Sequence, residues 1–71
     1  MEIVLREDYI TLGQVLKVAG IAQTGGEAKM LLAQSTILIN GEPDNRRGRK
    51  LRAGDVVQME GEPEIRILPR E

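Results

Sequence analysis

The sequence has no cysteine, histidine, tryptophan or phenylalanine, and one tyrosine. Without cysteine there is no disulfide framework and no thiolate zinc or redox site. The absence of histidine removes the commonest general base and the usual imidazole metal ligand, which leaves carboxylates, lysines and Tyr9 for chemistry. The expectation is therefore a protein that is not an enzyme, holding neither metal nor cofactor. A single aromatic residue also argues against recognition of single strands by serial base stacking. No apolar run approaches the length of a membrane span, and Met1-Glu2-Ile3-Val4-Leu5-Arg6 lacks the basic start and long apolar stretch of a secretion signal, so a cytoplasmic protein without membrane contact is expected.

What is present is balanced. Hydrophobic residues make up 41% of the 71 positions and charged residues 30%, ordinary values for a folded chain and unlike those of a disordered one. A chain of this length buries about 60% of the surface that it exposes unfolded, enough for one small core, and a single domain over residues 1–71 is expected. The formal net charge is −1, but it is unevenly spread. Residues 40–52 hold Arg46, Arg47, Arg49, Lys50 and Arg52 against Glu42 and Asp44, a local +3, and the remainder carries −4. A local basic patch binds phosphates even on a globally acidic protein.

The central stretch runs from Thr24 to Arg52. Thr24-Gly25-Gly26-Glu27 has the spacing of a capping box, with the Thr24 hydroxyl placed to accept from the Glu27 N–H and the Glu27 carboxylate to accept from the Thr24 N–H. A helix over 25–34 is predicted, with Ala28, Leu31 and Leu32 facing the core and Lys29 off that stripe, exposed. Gly25 and Gly26 cost helix stability, and they leave the free N–H groups of the first turn open to an anion. As a purely structural feature they would only form the turn. Thr36-Ile37-Leu38-Ile39 reads as a buried strand ending at Asn40-Gly41, a dipeptide suited to a tight hairpin turn because both residues tolerate positive φ.

Earlier in the chain, Glu2 to Arg6 reads as a first strand. Thr11-Leu12-Gly13-Gln14 is a second capping box, and Leu12, Val15, Leu16 and Ala19 fall on one face of a helix over 11–19 that Gly20 ends. Two helices so close in sequence should form a hairpin. Further on, Val56 to Glu60 and Ile65 to Leu68 read as strands between turns. Pro69 marks the last as an edge strand, and Pro43 belongs to a loop. The fold class expected is α+β, a two-helix hairpin packed on a small, mostly antiparallel sheet.

Residues Thr11 to Val57 resemble the S-four type RNA-binding domain, or alpha-L motif. The resemblance rests on Leu12 and Leu16, Lys17-Val18-Ala19-Gly20-Ile21, Thr24 to Leu32, Ile37-Leu38-Ile39-Asn40-Gly41 and Gly54-Asp55-Val56-Val57, in that order and spacing. The run Asn45 to Leu51 looks most like the small stand-alone bacterial members. The resemblance implies a non-catalytic protein that grips structured RNA, often ribosomal, with the helical hairpin and the adjoining basic loop. The residues it implicates are Thr24, Gly25, Gly26, Lys29, Arg46, Arg47, Arg49, Lys50 and Arg52. It departs from the family pattern at Gly25-Gly26, where many members carry a serine and an arginine, and leaves Lys29 as a partial substitute for that cation.

Each of these features also has a plainer reading. The basic loop alone would serve as a solvated charge run, although five cations within residues 46–52 repel one another without evident structural return. Tyr9 alone reads as a core-edge residue. Two other functions stay open: a protein-interaction module using the acidic remainder or the strand at Ile65 to Leu68, and a DNA-binding module with the second helix in a groove. The DNA reading is weakened because that helix offers Lys29 and Gln34 but no arginine.

Overall fold

A computed structural model describes residues 1–71. Seven strands and two helices follow in the order β1 (Glu2–Val4), β2 (Ile10–Thr11), α1 (Leu12–Val18), α2 (Gly25–Gln34), β3 (Ile37–Ile39), β4 (Glu42–Pro43), β5 (Lys50–Leu51), β6 (Val56–Met59) and β7 (Ile65–Leu68). The architecture is α+β, as expected.

Helix α1 starts on a complete capping box. The Thr11 hydroxyl accepts from the Gln14 N–H at 3.3 Å and the Gln14 side chain accepts from the Thr11 N–H at 3.0 Å. It ends in a Schellman turn: Gly20, at φ 77°, donates to the Lys17 carbonyl, and Ile21 donates to that of Leu16. Helix α2 begins at Thr24, whose hydroxyl accepts from the Glu27 N–H at 3.1 Å. The returning half of that box differs from the expectation. The Glu27 carboxylate accepts from the N–H of Gln23, one residue earlier, at 3.1 Å.

The main sheet has the order β1-β7-β6-β3-β4, with β1 parallel to β7 and the other pairs antiparallel. Two sequence expectations are corrected here. The strand Ile65 to Leu68 is not an edge, because β1 covers it on the far side from β6. Pro43 does not lie in a loop but pairs opposite Leu38 in β4, at the sheet edge where its missing N–H leaves no ladder bond unmade. The turn between β3 and β4 is as expected, with Asn40 at φ 53° and Gly41 at φ 83°. Asn40 also ties this turn to the next one: its side chain donates to Asp55 at 2.9 Å and accepts from the Val56 N–H at 2.9 Å.

One face of the sheet contributes Ile3, Ile37, Ile39, Val57, Ile65 and Ile67 to a core that also takes Leu12, Val15 and Leu16 from α1 and Ala28 and Leu32 from α2. The helix positions are those that the periodicity picks out, with Ala19 and Leu31 half-buried at the rim of the core. A second, two-stranded sheet joins β2 to β5, pairing Ile10 with Leu51 and Thr11 with Lys50. It pins the segment after the basic loop to the residues just before α1.

Candidate nucleic-acid interface

The basic loop folds back across the start of α1. The Gly13 N–H donates to the Arg47 carbonyl at 2.9 Å and the Leu12 N–H to the Arg49 carbonyl at 2.8 Å. Together with Thr11 these carbonyls satisfy the first amides of α1, which a helix cannot pair internally. Gly13 is buried, and it must be glycine for a steric reason. A Cβ there would stand 2.6 Å from the Arg47 Cγ, closer than carbon atoms approach. The loop lies flat on the helix because that side chain is missing.

Asp44 organises the loop from within. Its carboxylate accepts from the Arg46 N–H at 2.9 Å, the Arg46 guanidinium at 2.8 Å and the Arg49 guanidinium at 3.0 Å. The Arg46 side chain, then its backbone N–H, then Arg49 hold the Asp44 carboxyl well below the usual carboxylate range, against the opposing effect of burial. The same pairing raises the pKa of Arg46. Clustered charge therefore has a structural return that the sequence does not reveal: one carboxylate, 10% exposed, fixes two arginines.

Arg47 takes a different course. Its guanidinium reaches the start of α2 and donates to the Gly25 carbonyl at 3.3 Å. A shallow cleft opens there between the two helices, lined among others by Gly13, Gln14, Lys17, Gly25, Ala28 and Arg47. The amides of Gly25 and Gly26 have no protein partner, since the first protein-bonded amides of α2 are those of Glu27 and Ala28. The first turn of α2 thus presents free N–H groups and the positive end of a helix dipole. Gly26 is exposed, and a Cβ on it would meet only the Thr24 hydroxyl, at 3.8 Å.

The expected site residues are therefore not all together. Thr24, Gly25, Gly26 and Arg47 converge at the start of α2. Lys29 is exposed on α2 and is not among the residues that line the cleft. The cation standing at the second helix start is Arg47, brought in from the loop. Lys17, in the last turn of α1, lines the cleft too, and sequence reading missed it because a lysine there looks like an ordinary surface residue. Arg46 and Arg49 are held by Asp44 and do not line the cleft. Lys50 and Arg52 belong to a separate group, on and just beyond β5, where their charges lie 4.9 Å and 5.7 Å from the centre of the Tyr9 ring. No three acidic side chains come together to hold a metal ion, and no helix is long and apolar enough to cross a membrane.

The S4 domain pattern matches residues 3–68. A Bacillus subtilis (strain 168) protein named "Probable ribosome maturation protein RlbA" is 59% identical over 54 residues, which is 76% of either chain. The match takes in both helices, the glycine-bounded turns and the loop that joins them to the sheet, and the chain belongs to the S4 domain family.

Proposed function

We propose that this is a non-catalytic RNA-binding protein that recognises structured RNA, with ribosomal RNA as its target, in the bacterial cytoplasm. The observation that carries the reading is the cleft at the start of α2, where Gly25, with its unpaired amide, Arg47 and Lys17 line one space suited to a phosphate and the free amide of Gly26 stands next along the helix end. Membership of the S4 family and the ribosome-maturation name of the Bacillus relative support it. In this reading Thr24, Gly25 and Gly26 supply the helix end, Arg47 and Lys17 its charge, and Lys29, Arg46, Arg49, Lys50 and Arg52 contact neighbouring phosphates. Folded RNA is favoured over single strands because one aromatic residue cannot stack a run of bases.

The alternative of a protein-interaction module loses one of its two supports, since Ile65 to Leu68 is an interior strand. Salt dependence separates the two. Neutralising about four phosphates gives a slope of log K against log salt of roughly −3 to −4. Titrating labelled fragments of ribosomal RNA helices across a salt series tests this, and a slope near zero would rule out the mechanism.

A further inference from the structure

Tyr9, the only aromatic residue, does not join the core and is 39% exposed. Its position follows from the β2–β5 ladder, in which Ile10 faces Leu51 and Thr11 faces Lys50, so that Tyr9 comes opposite Arg52. The two cations over its ring, Lys50 and Arg52, form no ion pair with a carboxylate. The ring also borders an open groove between β1 and α1, whose apolar lining includes Ile3, Val4, Leu5, Ile10 and Val18. Val4 and Val18 are exposed. The charged groups of the groove are Arg6, Lys17 and Glu7, and Asp8 beside them reaches toward Arg70.

The groove and the cleft at the α2 start share a wall, for Gln14 and Lys17 line both. A chain of phosphates lying in the cleft would pass this wall with its sugars and bases on the groove side. We propose that the groove receives one unpaired nucleobase of the bound RNA, stacked against Tyr9, with Lys17 on one side and Lys50 and Arg52 on the other holding the flanking phosphates. The inference rests on the RNA-binding reading and adds to it a class of target, a helix interrupted by a bulged or flipped-out base. The chemistry fits. A base has an apolar, polarisable face for the ring and the valines, and its attached phosphates answer a cation surplus that an uncharged partner would leave unmatched. A single aromatic residue sets the number of bases at one.

The test uses two RNA hairpins of equal length, one fully paired and one carrying a single bulged 2-aminopurine, with the wild-type protein, Tyr9→Phe and Tyr9→Leu. Far-ultraviolet circular dichroism first checks that the exposed substitutions leave the fold intact. Wild type and Tyr9→Phe should bind the bulged hairpin more tightly and change the 2-aminopurine emission. Tyr9→Leu should lose about 5- to 150-fold on the bulged hairpin, the worth of one base–aromatic stack, while binding the paired hairpin with unchanged affinity and salt slope. If Tyr9→Leu matches wild type on both hairpins, RNA binding stands and the groove site is wrong. Should neither hairpin bind, the RNA reading itself fails and this site with it. Methyl resonances of Val4 and Val18 that shift with protein concentration but not with RNA would assign the groove to a second copy of the chain, and would equally overturn the proposal.

Discussion

Replacing Gly13 with alanine should damage the protein in a way that helix propensity alone predicts backwards. In a helix interior the change stabilises by up to about 1 kcal/mol, less near an end. Here the new methyl group would lie 2.6 Å from the Arg47 Cγ, 3.3 Å from its Cδ and 3.4 Å from its carbonyl oxygen. Ordinary contact needs the first pair to part by about 1 Å, and because Cγ is placed by χ1, no adjustment at the far end of the side chain relieves it: the whole Arg47 side chain must swing to another χ1 rotamer or the loop must lift. Swinging the side chain breaks the Arg47 bond to the Gly25 carbonyl, and lifting the loop strains the bonds from Gly13 and Leu12 to the Arg47 and Arg49 carbonyls. Overpacking of this kind costs about 1–3 kcal/mol, so a net loss of about 1–2 kcal/mol is expected. Gly26→Ala is the matched control, because a Cβ there meets nothing closer than 3.8 Å, and it should be neutral or stabilising by up to about 1 kcal/mol. Urea denaturation followed by circular dichroism gives both values, and RNA affinity for the same proteins shows whether the lifted loop has carried Arg47 out of the cleft. Gly13→Ala that gains as much stability as Gly26→Ala and keeps full affinity would refute the account of the loop.

Three further outcomes follow from the same geometry. Gly26→Asp places a carboxylate at the positive end of α2, so stability should hold or rise by roughly 0.3–1 kcal/mol while RNA affinity falls; unchanged affinity would make the two glycines turn formers only. Combining Arg47→Gln with Lys17→Gln should flatten the salt slope by about 1.5 to 2 units with little change in the urea midpoint, and an unaltered slope would remove the cleft from the binding surface. Asp44 has a depressed folded pKa, so its stabilisation is complete above the unfolded value of about 3.9 and is lost as pH falls through the folded value. Asp44→Asn should therefore destabilise at pH 7 by about 1–3 kcal/mol and show a shallower loss of stability between pH 5 and pH 2. Parallel wild-type and variant curves over that range would contradict the role given to Asp44.

Both helices were legible because two independent signals coincide at each, an apolar stripe at helical spacing and a Thr placed three residues before a Gln or Glu. The strand at Ile37–Ile39 and its turn were legible for a similar reason, since Asn40-Gly41 is among the few dipeptides that accept two positive φ angles. The β2–β5 ladder was not, because two-residue strands have no period and their partners lie some forty positions apart. Nor was the parallel pairing of β1, which turned an expected edge strand into an interior one. The loop capping α1 acts through the carbonyls of Arg47 and Arg49, and main-chain acceptors leave no trace in side-chain identity. Gly13 is the one visible sign of that contact, and in sequence it reads as a filler inside a capping box. Charge clustering singled out the loop as one unit, yet Asp44 divides its cations into a fixed pair and a reaching Arg47, a division that depends on distances.

The pairing of β1 with β7 sets the order in which the chain becomes whole. Arg66 donates to the Met1 carbonyl at 2.9 Å, Leu5 to that of Leu68 at 3.1 Å, and the Met1 amino group to that of Glu64 at 2.8 Å. During synthesis the first strand therefore emerges with no partner and waits for the last. The two helices and the strands β3, β4 and β6 have their partners closer in sequence and can assemble before β7 arrives, and β5, returning to β2, lays the cationic loop across them. Ile3 and Leu5 enter the core only when Ile65 and Ile67 arrive, so the final step of folding joins the segments most distant along the chain, the kind of contact that slows folding most. A nascent chain stopped short of β7 would hold the helix starts and the loop together but leave one side of the sheet unpaired, and that exposed strand is where premature association with other chains would begin.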